Sequence, residues 1–266
     1  RRQRQMCIRD RGYSITAIVG LLVFSNRNSL LHFVRPVCRP QTLGRAVTNG
    51  CSEMATALVN GIITLMFNWT MLKYVGEDGV AAITIISYVL AFAGSLYAGY
   101  AYGVAPMLSF YYGEQNHEKL RKLVRTSLKI IGAIAAATVL VSLAVTEPLV
   151  SIFARPGTPV YDLAVAGNRI CSLALLFVGF NIFASGMFTA LSNGLISAVL
   201  AFSRTFVFTL IAMLVLPVIL GVTGIWLATP AAELAAVVLS AVMLLKYRRR
   251  YCLSLIHISE PTRRSY

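Results

Sequence analysis

Six times between Leu43 and Lys246 the chain runs for more than twenty mostly apolar residues before short polar punctuation interrupts it, at 43–72, 80–108, 123–146, 163–190, 195–220 and 224–246. A bilayer core of about 30 Å is crossed by about 20 apolar residues in a helix, and each run reaches that length. The chain is 57% hydrophobic, only 13% charged, and has a mean hydropathy of +0.72, whereas about a quarter of the residues in a soluble domain carry charge. These values exclude a soluble single domain, a disordered chain and a secreted disulfide scaffold. A transmembrane barrel would show alternating segments of about ten residues, and the unbroken Ala, Val, Leu and Ile runs here do not alternate. The expected fold class is an all-α polytopic membrane protein, a six-helix transmembrane bundle plus a truncated helix.

The punctuation supports this division. Gly76-Glu77-Asp78-Gly79, Gly113-Glu114-Gln115-Asn116, Pro156-Gly157-Thr158-Pro159, Ser192-Asn193-Gly194 and Gly221-Val222-Thr223-Gly224 are turn-forming clusters, and connections so short make neighbouring helices antiparallel. Residues 12–26 are too short to cross a bilayer and read as the end of a truncated helix, followed by a basic cytoplasmic linker at 27–42 and the six-helix unit at 43–251. Residues 1–11 and 252–266 fit neither a span nor a loop, resemble adaptor sequence, and are set aside.

The formal charge of +14 suggests nucleic acid only until it is located. Removing Arg1, Arg2, Arg4, Arg9, Asp10 and Arg11 (+4) with Glu260, Arg263 and Arg264 (+1) leaves +9. One set of ends collects Arg27, Arg35, Arg39, Arg45, Lys119, Arg121, Lys122, Arg125, Lys129, Arg204, Lys246, Arg248, Arg249 and Arg250; the other has Lys73, Arg155 and Arg169. Because the cytoplasmic side of a membrane protein carries the excess of Lys and Arg, the first set is expected to be cytoplasmic, the C-terminal end included, in a multi-pass protein of the cell membrane. The charge is thus assigned to topology and membrane lipid, with no nucleic-acid partner.

Acidic residues inside hydrocarbon cost about 2.5 to 3.5 kcal/mol, so those within spans are functional candidates. Two qualify, Glu53 in the first span and Glu233 in the last. At 100° per residue Asn49, Glu53, Asn60 and Thr64 share a stripe of the first span, with Asn68 at its edge, as expected of a cavity wall or a polar helix contact. The second span repeats the pattern with Tyr88 and Tyr102, whose ring faces suit organic cations, and the fourth carries Asn181. Glu233 lies three residues after Pro230 and is read as a second acid or as a carboxylate that accepts from backbone donors freed by the kink. Cys38, Cys51 and Cys171 show no metal or disulfide spacing and read as small apolar filler.

The chain holds no HExxH, GxSxG or GxxxxGK[ST] pattern and no pair of membrane aspartates, so zinc, serine and aspartyl hydrolysis and ATP-driven pumping lack their parts. No enzyme and no cofactor is expected. A channel, receptor, scaffold or secondary transporter remains.

Read in order, HFVRP (32–36), NGCSE (49–53), TLMFN (64–68), GEDGVAAITII (76–86), GVAPMLSFYYGEQN (103–116), GFNIFASGMFTALSN (179–193) and GIWLATPAAE (224–233) resemble the C-terminal half of a multidrug and toxic compound extrusion (MATE) family transporter over about 220 of 266 residues. The resemblance implies one lobe of a twelve-helix, two-lobed antiporter that exports amphipathic or cationic drugs in exchange for H⁺ or Na⁺, inactive by itself, with the missing N-terminal lobe of the same polypeptide as partner. It implies Glu53 as ion-coupling residue, and Asn49, Asn60, Thr64, Asn68, Tyr88, Tyr102 and Asn181 as cavity lining, with Glu233 as a second acid. The chain departs from the family where relatives place an acid at the Ala57 or Asn60 position and aspartates in the tenth helix. Coupling through Glu53 and coupling through the missing half therefore both stay open. A lipid-linked sugar flippase of the same superfamily and a seven-helix receptor or scaffold are the alternatives.

Overall fold

The computed structural model describes residues 14–15, 18–22, 25 and 40–247, and over 41–57 the backbone alone. The adaptor-like ends, residues 27–39 of the linker expected at 27–42 and the side chains of Asn49 and Glu53 lie outside the described residues, and the linker's last three residues belong to a helix that starts at Pro40. Two compact units, 1–53 and 54–266, are each taken by themselves. In the first, the described residues between 14 and 25 are helical, and Ile15, Ile18, Val19, Leu21 and Leu22 are more than half exposed.

Six long helices follow: α1 (Pro40–Tyr74), α2 (Glu77–Gly113), α3 (His117–Phe153), α4 (Pro159–Ala190), α5 (Gly194–Leu220) and α6 (Val222–Tyr247). No strand occurs among the described residues. Each helix contains one of the six apolar runs, and α2 to α6 are all long and apolar enough to cross a membrane. Several exceed their runs, α3 extending to 117 and 153 where hydropathy ends at 123 and 146. Capping and charged turns carry a helix beyond the part a hydropathy window detects. Asn116 Oδ1 accepts from the Lys119 amide at 3.1 Å to open α3, and Asn193 Oδ1 accepts from Ile196 N at 3.4 Å to open α5. The whole α5–α6 turn is Gly221, at φ +60° and ψ −135°, a backbone state that suits glycine.

Two helices change pitch. α4 contains a 3₁₀ turn at Ser172–Ala174, and α5 contains a π-helical segment at Ser203–Phe208. A change of pitch leaves carbonyls without their usual helical donors. At the first break the Tyr97 hydroxyl of α2 donates to the Leu175 carbonyl at 2.9 Å and lies 2.5 Å from Thr138 Oγ1 of α3. α2 comes close enough because α4 has Gly179 there, where a Cβ would lie 2.6 Å from the Tyr97 ring.

α4 is the central helix, packing on α2, α3, α5 and α6. Its core runs along the bundle. One end holds Met71, Ile86, Val150, Ala164, Ile225 and Trp226, the middle Ala93, Tyr97, Ala135 and Leu175, and the other end Leu108, Leu120, Phe183, Phe188 and Leu200. Outside this core the surface stays apolar, with Leu195, Val218 and Ile152 more than three-quarters exposed. Water would penalise a surface of that kind, and acyl chains would not.

Candidate functional site

Two constellations emerge, a cavity at one end of the bundle and a polar network inside it. The cavity, of about 790 Å³, opens where the last turns of α1 meet the first turns of α2 beside the α3–α4 turn. Trp69, Tyr88 and Phe153 supply aromatic walls, Asn68 and Thr84 neutral polar groups, and Glu77 the charge. Tyr88 and Phe153 stack with ring centroids 6.4 Å apart. Among the described residues no Lys or Arg lines the cavity; nearest in sequence, Lys73 holds its ammonium 5.9 Å from the Trp69 ring centroid. A second cavity of about 220 Å³ shares Asn68 and adds Thr64, Ser87 and Thr229. The first volume falls in the range of about 300 to 1,000 Å³ typical of small-ligand sites, and the second lies below it.

The polar network joins α4, α5 and α6. Asn181, only 3% exposed, donates through Nδ2 to Glu233 Oε2 at 2.7 Å and to the Glu233 carbonyl at 3.0 Å, and accepts from Ser240 Oγ at 3.1 Å. Glu233 Oε1 lies 3.5 Å from an Arg204 guanidinium nitrogen, the side chains being 14% and 24% exposed. Arg204 stands in the π-helical segment of α5. Such segments occur often at functional positions because they shift side chains out of helical register.

The structure places the sequence candidates unevenly. Thr64, Asn68 and Tyr88 border the cavities, and Asn181 and Glu233 form one network. Asn60 is exposed, its carbonyl accepting from Thr64 Oγ1 at 2.8 Å, and Tyr102 is 76% exposed on α2. Asn49 and Glu53 lie outside the described side chains. Trp69, Phe153 and Glu77 were not singled out by sequence; Trp69 falls one residue after Asn68 at the mouth of the first span, an interfacial aromatic position that was legible.

Three readings are corrected. Arg204, counted with the cytoplasmic charges, lies ten residues inside α5 and is paired with Glu233. The Glu233 carboxylate does not serve the Pro230 kink: proline removes a donor, so the kink frees an acceptor, the Trp226 carbonyl four residues back. That carbonyl receives Cys171 Sγ at 3.3 Å. Cys171 is therefore a hydrogen-bond donor at the kink and not simple filler.

Comparison with known proteins agrees with the architecture. The chain is similar to the outward-facing structure of a multidrug resistance MATE family transporter of the MOP superfamily (TM-score 0.72, 20% identity, 89% of this chain and 53% of that one). It is similar to an inward-facing structure of such a transporter (TM-score 0.77, 19% identity, 90% and 56%). A third match is a MOP superfamily transporter from Pyrococcus furiosus, in which reverse polarity of the binding pocket suggests a different function (TM-score 0.73, 19% identity, 89% and 53%). The chain thus spans about half the length of these structures. Comparison with curated protein sequences gives no match. The MatE family model matches residues 54–215, more than half of the chain and most of the helices that build both constellations, and by that match the chain belongs to the MatE family of membrane transporters.

Proposed function

We propose that the chain forms one lobe of a secondary active antiporter that exports amphipathic, cationic compounds in exchange for H⁺ or Na⁺. The observation that carries this reading is the chemistry of the larger cavity. Aromatic faces attract cations by about 0.5 to 2 kcal/mol each, more as water is excluded. Tyr88 and Phe153 offer such faces, the Trp69 ring already faces one cation, the Lys73 ammonium at 5.9 Å, Glu77 adds a negative charge, and the described lining has no Lys or Arg. The same absence weighs against a lipid-linked sugar flippase, which needs cations to hold a pyrophosphate. Because a superfamily relative carries reversed pocket polarity, substrate charge has to be read from this chain's own residues.

Coupling is assigned to a carboxylate that exchanges ion for substrate as the two lobes rock. Glu53 is the expected exchanger and Glu233 the second acid, with the missing lobe as the other half of the path. Each charge moved through about 100 mV supplies about 2.3 kcal/mol, a roughly 50-fold concentration ratio. The test is uptake of a cationic dye into proteoliposomes holding the complete two-lobed transporter under an imposed H⁺ or Na⁺ gradient. Transport that collapses with the gradient and weakens several-fold in Trp69→Ala and Tyr88→Ala supports the reading; equal transport of an anionic dye contradicts it. A Glu53→Gln variant that still exports dye and still dissipates the gradient normally removes Glu53 from the coupling role.

A further inference from the structure

The sequence assigns the lysines of α3 to membrane topology, a role that requires charge but no shape. The structure gives them a shape. Lys119 and Lys122 form one wall of a pocket of about 220 Å³ between the last turns of α2 and the first turns of α3, completed by Met107, Tyr111, Leu123 and Thr126. Lys119 holds its ammonium 5.7 Å from the Tyr111 ring centroid. Neither lysine has an ion-pair partner among the described residues. The acids at this end are Glu114 in the turn and Glu118 on the flank of α3, both exposed, while Arg121 and Arg125 stand on a different face of α3, where each has a partner.

The face below the pocket matters equally. At 100° per residue, Lys119, Lys122, Thr126 and Lys129 lie on one stripe, and Ile130, Ala133, Ala137, Leu140 and Val141 continue it. Every one of these residues is exposed. The stripe changes from basic to apolar at residue 130 and remains apolar for at least eleven residues, about 16 Å of helix. That is about half the hydrocarbon thickness of a bilayer, the depth of one acyl chain. Charge and an aromatic ring at one level and an exposed apolar track below them match the headgroup and the acyl chain of a phospholipid.

We infer that this pocket is a binding site for an anionic glycerophospholipid, its phosphate held between Lys119 and Lys122 beside the Tyr111 ring and one acyl chain lying along the Ile130 to Val141 face of α3. The start of α3 at His117 adds the positive end of a helix dipole to the attraction. A zwitterionic lipid of the same chain length has the apolar part of this fit and lacks the net charge.

The experiment is native mass spectrometry of the chain released from micelles containing equal amounts of phosphatidylglycerol and phosphatidylcholine with identical acyl chains. The expected result is retention of about one phosphatidylglycerol in preference to phosphatidylcholine, weakened about 30-fold in K119Q/K122Q, since each lysine near an anionic lipid contributes about a fivefold factor. K73Q and K246Q leave it unchanged. Equal retention of both lipids, or an unchanged preference in the double variant, overturns the site. A second measurement needs no variant: amine labelling of the native chain, in which phosphatidylglycerol protects Lys119 and Lys122 and phosphatidylcholine does not. Protection by inorganic phosphate alone would make this a phosphate site and overturn the lipid assignment.

Discussion

The Arg204–Glu233 pair permits a sharp energetic test. Arg204 lies ten residues into α5 and Glu233 eleven into α6, each about 15 Å from the start of its helix and so near the middle of a bilayer. Glu233→Ala leaves a guanidinium there with no partner, which costs about 2.5 to 3.5 kcal/mol. It also removes the 2.7 Å bond from Asn181 Nδ2, worth about 0.6 kcal/mol inside a membrane. The predicted loss of stability is about 3 to 4 kcal/mol. Arg204→Leu with Glu233→Leu removes both charges, and replacing a buried ion pair with apolar groups is commonly neutral or better. The double variant should therefore return to within about 1 kcal/mol of the parent, because Asn181 keeps the residue-233 carbonyl as acceptor at 3.0 Å. The assay is reversible unfolding in mixed micelles followed by circular dichroism, with the single variants Arg204→Leu and Glu233→Leu added to close a double-mutant cycle around the pair. A Glu233→Ala loss below about 1 kcal/mol, or a double variant no better than the single, would refute the claim that these charges compensate each other inside the span.

Other expectations follow from the packing. Gly179→Ala places a methyl 2.6 Å from the Tyr97 ring and should cost about 1 to 3 kcal/mol, with partial recovery when Tyr97 is also shortened to Leu; an unchanged melting temperature contradicts that packing. Tyr97→Phe removes the donor to the Leu175 carbonyl and should cost about 0.6 kcal/mol, measured in the same unfolding assay. Cys171, 1% exposed and hydrogen-bonded to the Trp226 carbonyl, should resist maleimide in the folded chain and react only on unfolding, in a variant lacking the other four cysteines of the five; rapid labelling of the native chain contradicts its burial.

The five spans α2 to α6 were legible because length and hydropathy decide membrane crossing, and the turns because Gly76, Asn116, Asn193 and Gly221 mark them chemically. Pitch changes within helices were not. Neither Ser172–Ala174 nor Ser203–Phe208 contains the Gly or Pro that signals a break; they are fixed by partners distant in sequence, such as Tyr97 for the first. Arg204 was misplaced for a related reason. A lone arginine inside an apolar run is assigned by sequence to the nearer, basic end of its span, and only the approach of Glu233 from the neighbouring helix shows that it is paired inside. Asn168 donates through Nδ2 to Thr146 Oγ1 at 3.0 Å and to Ser142 Oγ at 3.4 Å, and it is not legible in the sequence because both partners of its side chain lie on another helix. The candidate cavity was half legible. Asn68 and Tyr88 follow from helical periodicity, whereas Phe153 reaches the cavity only through tertiary packing.

The most direct test of the cation-binding cavity uses the two tryptophans. Trp69 is 68% exposed at the cavity, and Trp226 is 3% exposed in the core. In a Trp226→Phe variant the fluorescence reports Trp69 alone. Titration with tetraphenylphosphonium and with tetraphenylborate, similar in size and opposite in charge, separates recognition of a cation from simple apolar partitioning. A cation-binding cavity gives saturable quenching by the phosphonium, at least tenfold tighter than by the borate and weakened several-fold in Tyr88→Ala. Equal quenching by both ions, or quenching that never saturates, would contradict it.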